Sequence, residues 1–248
     1  MKKLLIFDYD GTLAKPVSKP SKKILDEIAR LLQGNYIAVM SGGRTIEQLN
    51  ELLIRKIPLK KTSLLKNLYL CPLHGNRIYK WNNKEYRLIY SANDMTSEEM
   101  IYIFNILSEI DWNSFNLGEI TKERIKYKGH VVSIDFLGDS ASNKEKEEWD
   151  PDKKRRNVIK EDIDKLLKYR FDVYATGRST IDIVDKGNTK ADNTRKLAKM
   201  LGISLKNVVF TGDEFGKHGN DFPLLELDDI QINITKGPEE TLAFLKKL

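Results

Sequence analysis

Two hydrophobic rhythms share the chain. The Lys3 to Tyr9 segment is a continuous apolar run closed by acids and Gly11, the pattern of a strand buried on both faces of a parallel sheet. Residues 21 to 33 set Ile24, Leu25, Ile28, Leu31 and Leu32 at helical spacing, opened by Ser21 after Pro20 and stopped by Gly34. Tyr36 to Met40 reads as a second strand, Thr45 to Leu53 as a second helix with Ile46, Leu49, Leu52 and Leu53 facing the sheet, and Leu68 to Cys71 as a third strand. Strand and helix in alternation predict an α/β fold, a doubly wound parallel sheet with right-handed crossovers.

After about residue 78 the rhythm changes. Ile78 to Ile89 reads as a hairpin around Asn82 and Asn83, Ser97 to Ile110 as an amphipathic helix, and Arg124 to Leu137 as alternating strand turning at Gly129. A helix over residues 156 to 168 and strands at Phe171 to Tyr174 and Ser179 to Val184, around Gly177, complete an α+β segment. The first rhythm resumes at Thr189 with a helix to Leu201, strands at Asn207 to Thr211 and Asp229 to Ile234, and a helix from Pro238. The expected organisation is a discontinuous core of residues 1–80 and 187–248 with an α+β domain, 81–186, inserted into it.

Composition narrows this little. Over 248 residues, 40% hydrophobic and 31% charged positions supply a core and exclude wholesale disorder. The single cysteine, Cys71, excludes an internal disulfide and a cysteine-based zinc site and fits a reducing compartment. No apolar stretch approaches the length of a membrane helix, and the run from Leu4 meets Asp8 too early for a signal-peptide core, so a cytoplasmic protein without membrane contact is expected. The net charge of +6 does not imply nucleic-acid binding, because the surplus bases are interleaved with acids, as from Lys144 to Arg156. A basic balance suits an anionic metabolite equally well.

Ligands of open parallel sheets gather at the carboxyl ends of the strands, so the residues just past each apolar run carry the chemistry. These are Asp8, Asp10, Gly11 and Thr12, then Ser41 and Gly42, then Gly212 and Asp213, with Asp221 on the same loop. Clustered carboxylates repel each other unless a cation or a proton intervenes. Hard oxygen donors without His or Cys favour Mg²⁺, with Asp8, Asp10, Asp213 and Asp221 as its expected ligands. Lys190, opening a helix, adds the opposite sign beside a helix N-terminus, a combination that attracts phosphate.

In this order the residues resemble the haloacid dehalogenase superfamily of phosphotransferases: FDYDGTL (Phe7 to Leu13), a strand-end Ser41, Lys190, and the acidic loop GDEFGKHGND (Gly212 to Asp221). The resemblance implies that Asp8 is the nucleophile that becomes an aspartyl-phosphate, Asp10 the general acid and base, and Lys190 the neutralising amine. The insertion corresponds to the cap of the sugar-phosphate branch, which closes over the site and contacts the substrate's non-reacting end. Within that branch the chain is most similar, over essentially its whole length, to the eukaryotic-type phosphomannomutases, through residues 133–154, STIDIVDKGNTK (Ser179 to Lys190) and the acidic loop. By analogy with those enzymes, a homodimer would pair through the cap.

The departures from that family fall where specificity is decided. Its cap grips the distal phosphate with arginines, and the matching positions here are Lys128, Asp139 and Lys146. Lysine lacks the bidentate fork of arginine, and Asp139 repels a dianion. Arg124, Lys126 and Arg178 are nearby replacements, while Thr180 and Asp182 match positions that contact sugar hydroxyls. Thr189 stands where the family has Asp, and SGGRT (Ser41 to Thr45) looks closer to the sugar phosphatases of the branch. The expectation is Mg²⁺-dependent phosphoryl transfer on a small phosphosugar. A phosphomannomutase-like interconversion of hexose 1- and 6-phosphate comes first, and a sugar-phosphate phosphatase is the alternative. The deciding feature is positive charge in the cap.

Overall fold

A computed structural model of the chain describes residues 2–16, 18–59, 61–117 and 122–248. It divides into two compact units, one running up to Ser91 and resuming from Thr189 to Leu248, the other from Ala92 to Asn188.

The first unit is built on a seven-stranded sheet. Its strands are β1 (Leu4–Asp8), β2 (Tyr36–Met40), β3 (Leu68–Cys71), β4 (Arg77–Trp81), β5 (Tyr86–Ser91), and, with β6 to β9 lying in the other unit, β10 (Val208–Gly212) and β11 (Gln231–Ile234). Their order is β11-β10-β1-β2-β3-β4-β5, parallel from β11 to β3 and antiparallel at β4 and β5. Alternate residues of each central strand enter separate cores. Leu5, Phe7, Ile37, Val39, Leu68 and Leu70 pack with helices α1 (Lys22–Leu31), α2 (Ile46–Leu52) and α7 (Pro238–Leu245). Leu4, Ile6, Ala38, Met40, Tyr69 and Phe210 pack on the opposite face with Ala191, Leu197 and Ala198 of α6 (Lys190–Met200). All five residues of β1 are buried. Burial on both faces is what a strand without polar alternation requires, and each large side chain so buried contributes about 1.5–3 kcal/mol. The doubly wound α/β core is therefore present as expected.

The hairpin at β4 and β5 departs from the expected boundary. Residues 81–91 were read with the insertion, yet β4 pairs with β3 and β5 with β4, so the hairpin extends the large sheet. Antiparallel pairing resembles the second rhythm in sequence, and alternation alone does not say which sheet a strand joins.

In the second unit, β6 (Ile125–Tyr127), β7 (Val131–Asp135), β8 (Phe171–Thr176) and β9 (Thr180–Asp185) form an antiparallel sheet in the order β6-β7-β9-β8. Val132, Ile134, Val173, Ile181 and Ile183 pack against Ile103 and Leu107 of α3 (Ser97–Glu109) and Ile159 and Ile163 of α5 (Lys154–Leu166). Trp112 and Trp149 flank Phe136 in the same core, with centroids 6.0 and 5.5 Å from its ring. A further helix, α4 (Asn143–Trp149), was missed in the charged stretch because it buries no residue and so has no apolar stripe. Its start is written in a capping box, where Ser142 and Glu145 each accept the other's backbone N–H. Among the described residues no helix is long and apolar enough to cross a membrane.

Candidate active site

The register of the parallel strands determines which residues meet. Phe7 lies opposite Thr211 on one side and Val39 on the other, and Asp8 lies opposite Met40. The residues after each strand, Asp8 to Thr12, Ser41 to Arg44, and Asp213, therefore leave the same edge of the sheet. Lys190 joins them from the first turn of α6. Thr189 caps that helix, accepting from the N–H of Asp192, while the Asp192 side chain accepts from the N–H of Thr189. Thr189 thus satisfies an N–H at the helix start that would otherwise lack a partner.

The Lys190 ammonium is fully buried and donates to three oxygens: Oδ1 of Asp8 at 2.6 Å, Oδ1 of Asp221 at 2.6 Å and Oδ1 of Asn220 at 2.9 Å. An ammonium has three protons, so all are engaged. Burial works to lower its pKa, but Asp221 and Asp8 outweigh that, and the net shift is upward. The second oxygen of Asp221 accepts from the N–H of Glu214 at 3.1 Å. Gly212 permits this approach, because a Cβ there would stand 2.9 Å from the Asp221 carboxyl carbon.

Asp213 takes a hydrogen bond from the Thr12 hydroxyl at 2.9 Å. Its carboxylate also rests against Gly11, whose φ of +83° and lack of a side chain make the turn; a Cβ would lie 2.6 Å from the Asp213 carboxyl carbon. Burial, then Glu214 and Asp221, push the Asp213 carboxyl up to about 6. Burial likewise raises Asp8 well above the ordinary carboxylate range, with Lys190 opposing and Asp221 and Asp213 adding to the rise.

Asp10, past the end of β1, is held by an arginine. It is half-buried, and its two oxygens accept from Nε and Nη2 of Arg44, the former at 2.8 Å. Arg44 lies over the Tyr9 ring, 4.3 Å from its centroid, and its backbone N–H donates to Ser41 Oγ at 3.4 Å.

Among the described residues, no three His, Cys, Asp or Glu side chains are grouped to hold a metal ion. Of the four expected carboxylates, Asp10 accepts from Arg44, Asp8 and Asp221 share Lys190, and Asp221 also accepts the Glu214 N–H. Asp8 and Asp213 are the two with an oxygen that accepts no hydrogen bond from another side chain or N–H among the described residues, and are the candidate side-chain donors. Their raised pKa values express buried negative charge that Lys190 alone does not offset. Mg²⁺ fits this donor set, since it commonly uses one or two carboxylates and completes its shell with water and substrate phosphate.

The second unit's expected substrate contacts are largely engaged in its own structure. Arg124 donates to the Phe136 carbonyl at 2.9 Å, Lys146 to Asp135 at 2.8 Å, and Lys126 to Asp139 at 2.6 Å. Arg178 pairs with Glu147 and donates to the Asn143 carbonyl at 3.2 Å. Asp182 is buried, and its oxygens accept from Ser133 at 2.6 Å and Thr176 at 2.9 Å, so it ties strands together and does not present an open face to a sugar. Thr180, half-buried, lies opposite Thr176 in the register, and Lys128, also half-buried, is in the turn before β7.

Gly42 sits between Asn220 and His74: a Cβ there would meet Asn220 Nδ2 and His74 Cε1, each at 3.0 Å. His74 is buried. It lies in a run of left-handed backbone from Leu73 to Gly75, held by its N–H donating to the Ser41 carbonyl at 2.8 Å and by Asn193 donating to its own carbonyl at 3.0 Å. Arg44, Asn220 and His74 were not singled out in sequence. Arg44 had been seen only as part of SGGRT, and Asn220 only as part of the acidic loop.

A family model described as haloacid dehalogenase-like hydrolase matches residues 5–247. The chain belongs to that family. The match spans both units and brings with it phosphoryl-transfer and hydrolase chemistry in general. Phosphomannomutase of Saccharomyces cerevisiae is 21% identical, the match covering 99% of this chain and 93% of that protein. Among solved structures, the N-terminally truncated, IMP-bound IMP-nucleotidase of Plasmodium falciparum superposes with a TM-score of 0.71 at 22% identity, covering 99% of this chain and 67% of that one. A haloacid dehalogenase-like hydrolase from Bacteroides thetaiotaomicron gives 0.61 at 15% identity over 100% and 99%. At these identities the structural likenesses establish the α/β core with its insertion.

Proposed function

We propose that the chain is a Mg²⁺-dependent phosphatase acting on a sugar monophosphate through an aspartyl-phosphate at Asp8. The observation that carries the choice is the pairing of cations in the second unit. A mutase must hold whichever phosphate is not reacting, and that needs uncommitted positive charge. Lys126, Lys146 and Arg178 are each paired with a carboxylate and Arg124 with a carbonyl, which leaves Lys128 as the one expected cap cation without such a pairing among the described residues. Lys146 and Asp135 are both largely buried, so freeing Lys146 for a dianion would strand its partner, whereas Asp139 and Glu147 are exposed to water and hold their cations weakly. A phosphatase needs only water as its second nucleophile.

In this reading an Asp8 oxygen attacks phosphorus while the bond to the sugar oxygen breaks, and Asp10 gives that oxygen its proton. Water then attacks the aspartyl-phosphate, Asp10 takes the water's proton, and the phosphorus–Asp8 bond breaks. Lys190 holds Asp8 by one oxygen and is itself fixed by Asn220 and Asp221. Thr12 fixes Asp213. Mg²⁺, held by Asp8 and Asp213, would supply the charge that offsets the phosphoryl oxygens.

The whole-length similarity to phosphomannomutase from Saccharomyces cerevisiae favours a second reading, hexose-phosphate interconversion. Assaying mannose 1-phosphate with and without a hexose bisphosphate activator separates the two. Release of inorganic phosphate independent of the bisphosphate is expected; bisphosphate-dependent formation of the 6-phosphate without net release would establish the mutase and overturn the phosphatase.

A further inference from the structure

The phosphatase reading leaves a question of charge at the first unit's site. Four carboxylates, Asp8, Asp10, Asp213 and Asp221, meet two cations that pair with them among the described residues, Lys190 and Arg44. A phosphoryl group brings further negative charge and needs donors. Lys190 has none to give without releasing Asp8, Asn220 or Asp221. Arg44 does. A guanidinium carries five N–H groups, and Arg44 uses one on Nε and one on Nη2 for Asp10. Both protons of Nη1 and the second on Nη2 meet no acceptor among the described residues.

Its placement suits that use. The Arg44 backbone is anchored to Ser41, the strand-end hydroxyl of the site. The guanidinium is stacked on Tyr9, with only 9% of the residue exposed, so its plane is fixed and largely out of water. A fixed, partly desolvated fork matches the geometry of phosphoryl oxygens. Asp10, the candidate acid and base, has to come within hydrogen-bond reach of the substrate's bridging oxygen. Arg44, already bonded to Asp10, is then within one further bond of the same phosphoryl group.

We propose that Arg44 is a second phosphate-binding cation of this site beside Lys190, dividing its N–H groups between Asp10 and the substrate's phosphoryl oxygens. The proposal rests on the aspartyl-phosphate reading for its substrate, but its test is a binding measurement. Inorganic phosphate is titrated calorimetrically at fixed Mg²⁺ into Asp10→Asn and into the double variant Asp10→Asn with Arg44→Gln, so that any effect of Arg44 exerted only through the Asp10 charge is absent from the comparison. The double variant is expected to bind phosphate about tenfold more weakly, the worth of a lost charge-assisted bond. Arg44→Lys in the same background, keeping charge without the fork, should fall between and also serves should the glutamine variant not fold. Dissociation constants within twofold of each other for Asp10→Asn and a folded Arg44 variant would overturn the proposal. Retained turnover in Asp8→Asn would overturn the aspartyl-phosphate reading instead, and leaves the phosphate comparison intact.

Discussion

Nζ of Lys190 lies 2.6 Å from Oδ1 of Asp8, joining residues 182 positions apart inside a buried site. The parallel pairing of β1 with β10 and the capped start of α6 make that contact, and it links the candidate nucleophile to a buried amine. Asp8→Asn keeps side-chain volume but removes the nucleophilic oxygen charge. Phosphatase turnover is expected to fall by a factor on the order of a thousand or more while the circular dichroism spectrum and melting temperature stay near those of the unsubstituted protein. Turnover within tenfold would show that Asp8 is not the nucleophile.

Lys190→Met tests the same contact from the other end. It leaves Asp8 and Asp221 buried beside each other without their shared cation. Breaking a buried pair in this way costs about 3–5 kcal/mol, and chemical denaturation should show a loss of that size. A loss below about 1 kcal/mol would mean that the amine contributes little to holding the acidic loop.

Gly11→Ala should damage activity more than stability. The left-handed backbone costs a non-glycine residue about 1–2 kcal/mol, and the added methyl displaces the Asp213 carboxylate. Because Asp213 is one of two candidate side-chain ligands for Mg²⁺, the expected signature is a rise of at least tenfold in the Mg²⁺ concentration for half-maximal activity. An unchanged Mg²⁺ requirement would separate Asp213 from metal binding.

How far the site was legible depends on what each residue is attached to. Asp8, Ser41 and Asp213 follow apolar strands, and parallel pairing brings strand ends together wherever the intervening chain goes. Lys190 was legible for a similar reason, as the first residue of a helix between two such strands. Arg44 was not, because its role depends on a loop path after β2 and on a side chain reaching back to Asp10, neither of which has a periodicity. Asp182 was named only because it matches a family position that contacts sugar hydroxyls. Its internal partner Ser133 lies on another strand directly opposite, a pairing that sequence does not write. The hairpin was recognisable as a hairpin, while its membership of the large sheet depended on pairing with β3, which is not written in β4 and β5 themselves.

The raised carboxylates predict an unusual dependence of stability on pH. With its folded pKa near 6 against an ordinary 3.8, Asp213 binds its proton more tightly folded than unfolded. Its contribution is therefore fully present below about pH 4 and is lost as pH rises through 6. Other carboxylates, such as Asp135, are shifted down and act with the opposite sign, so the effect must be isolated. In chelator-treated samples, the stability of the unsubstituted protein relative to Asp213→Asn should decline between pH 4 and 7 by on the order of 2–3 kcal/mol. Adding Mg²⁺ at pH 7 should raise the melting temperature of the unsubstituted protein and raise that of Asp213→Asn less. A pH-independent difference between the two proteins would contradict the assigned burial of that carboxylate.

In the second unit, Arg156 makes a stability prediction that does not depend on function. The residue is fully buried, and its Nε donates to Asp150 Oδ2 at 2.8 Å, while Nη1 donates to the Thr176 and Gly177 carbonyls at 2.8 and 3.0 Å. It thereby joins the end of α4, the start of α5 and the turn between β8 and β9, the turn that carries Arg178. Asp150 also accepts the backbone N–H groups of Arg155 and Arg156, so it caps α5 while pairing with the guanidinium. Arg156→Ala would strand a buried carboxylate and two carbonyls, at a cost of about 3–5 kcal/mol. Arg156→Lys retains the charge but has one nitrogen to serve acceptors on two segments, Asp150 and the Thr176–Gly177 turn, and should recover only part of that loss. The measurement is two-state denaturation of both variants, read beside phosphatase kinetics. A lysine variant as stable as the unsubstituted protein would show that charge alone holds the turn, and that the fork of hydrogen bonds adds nothing.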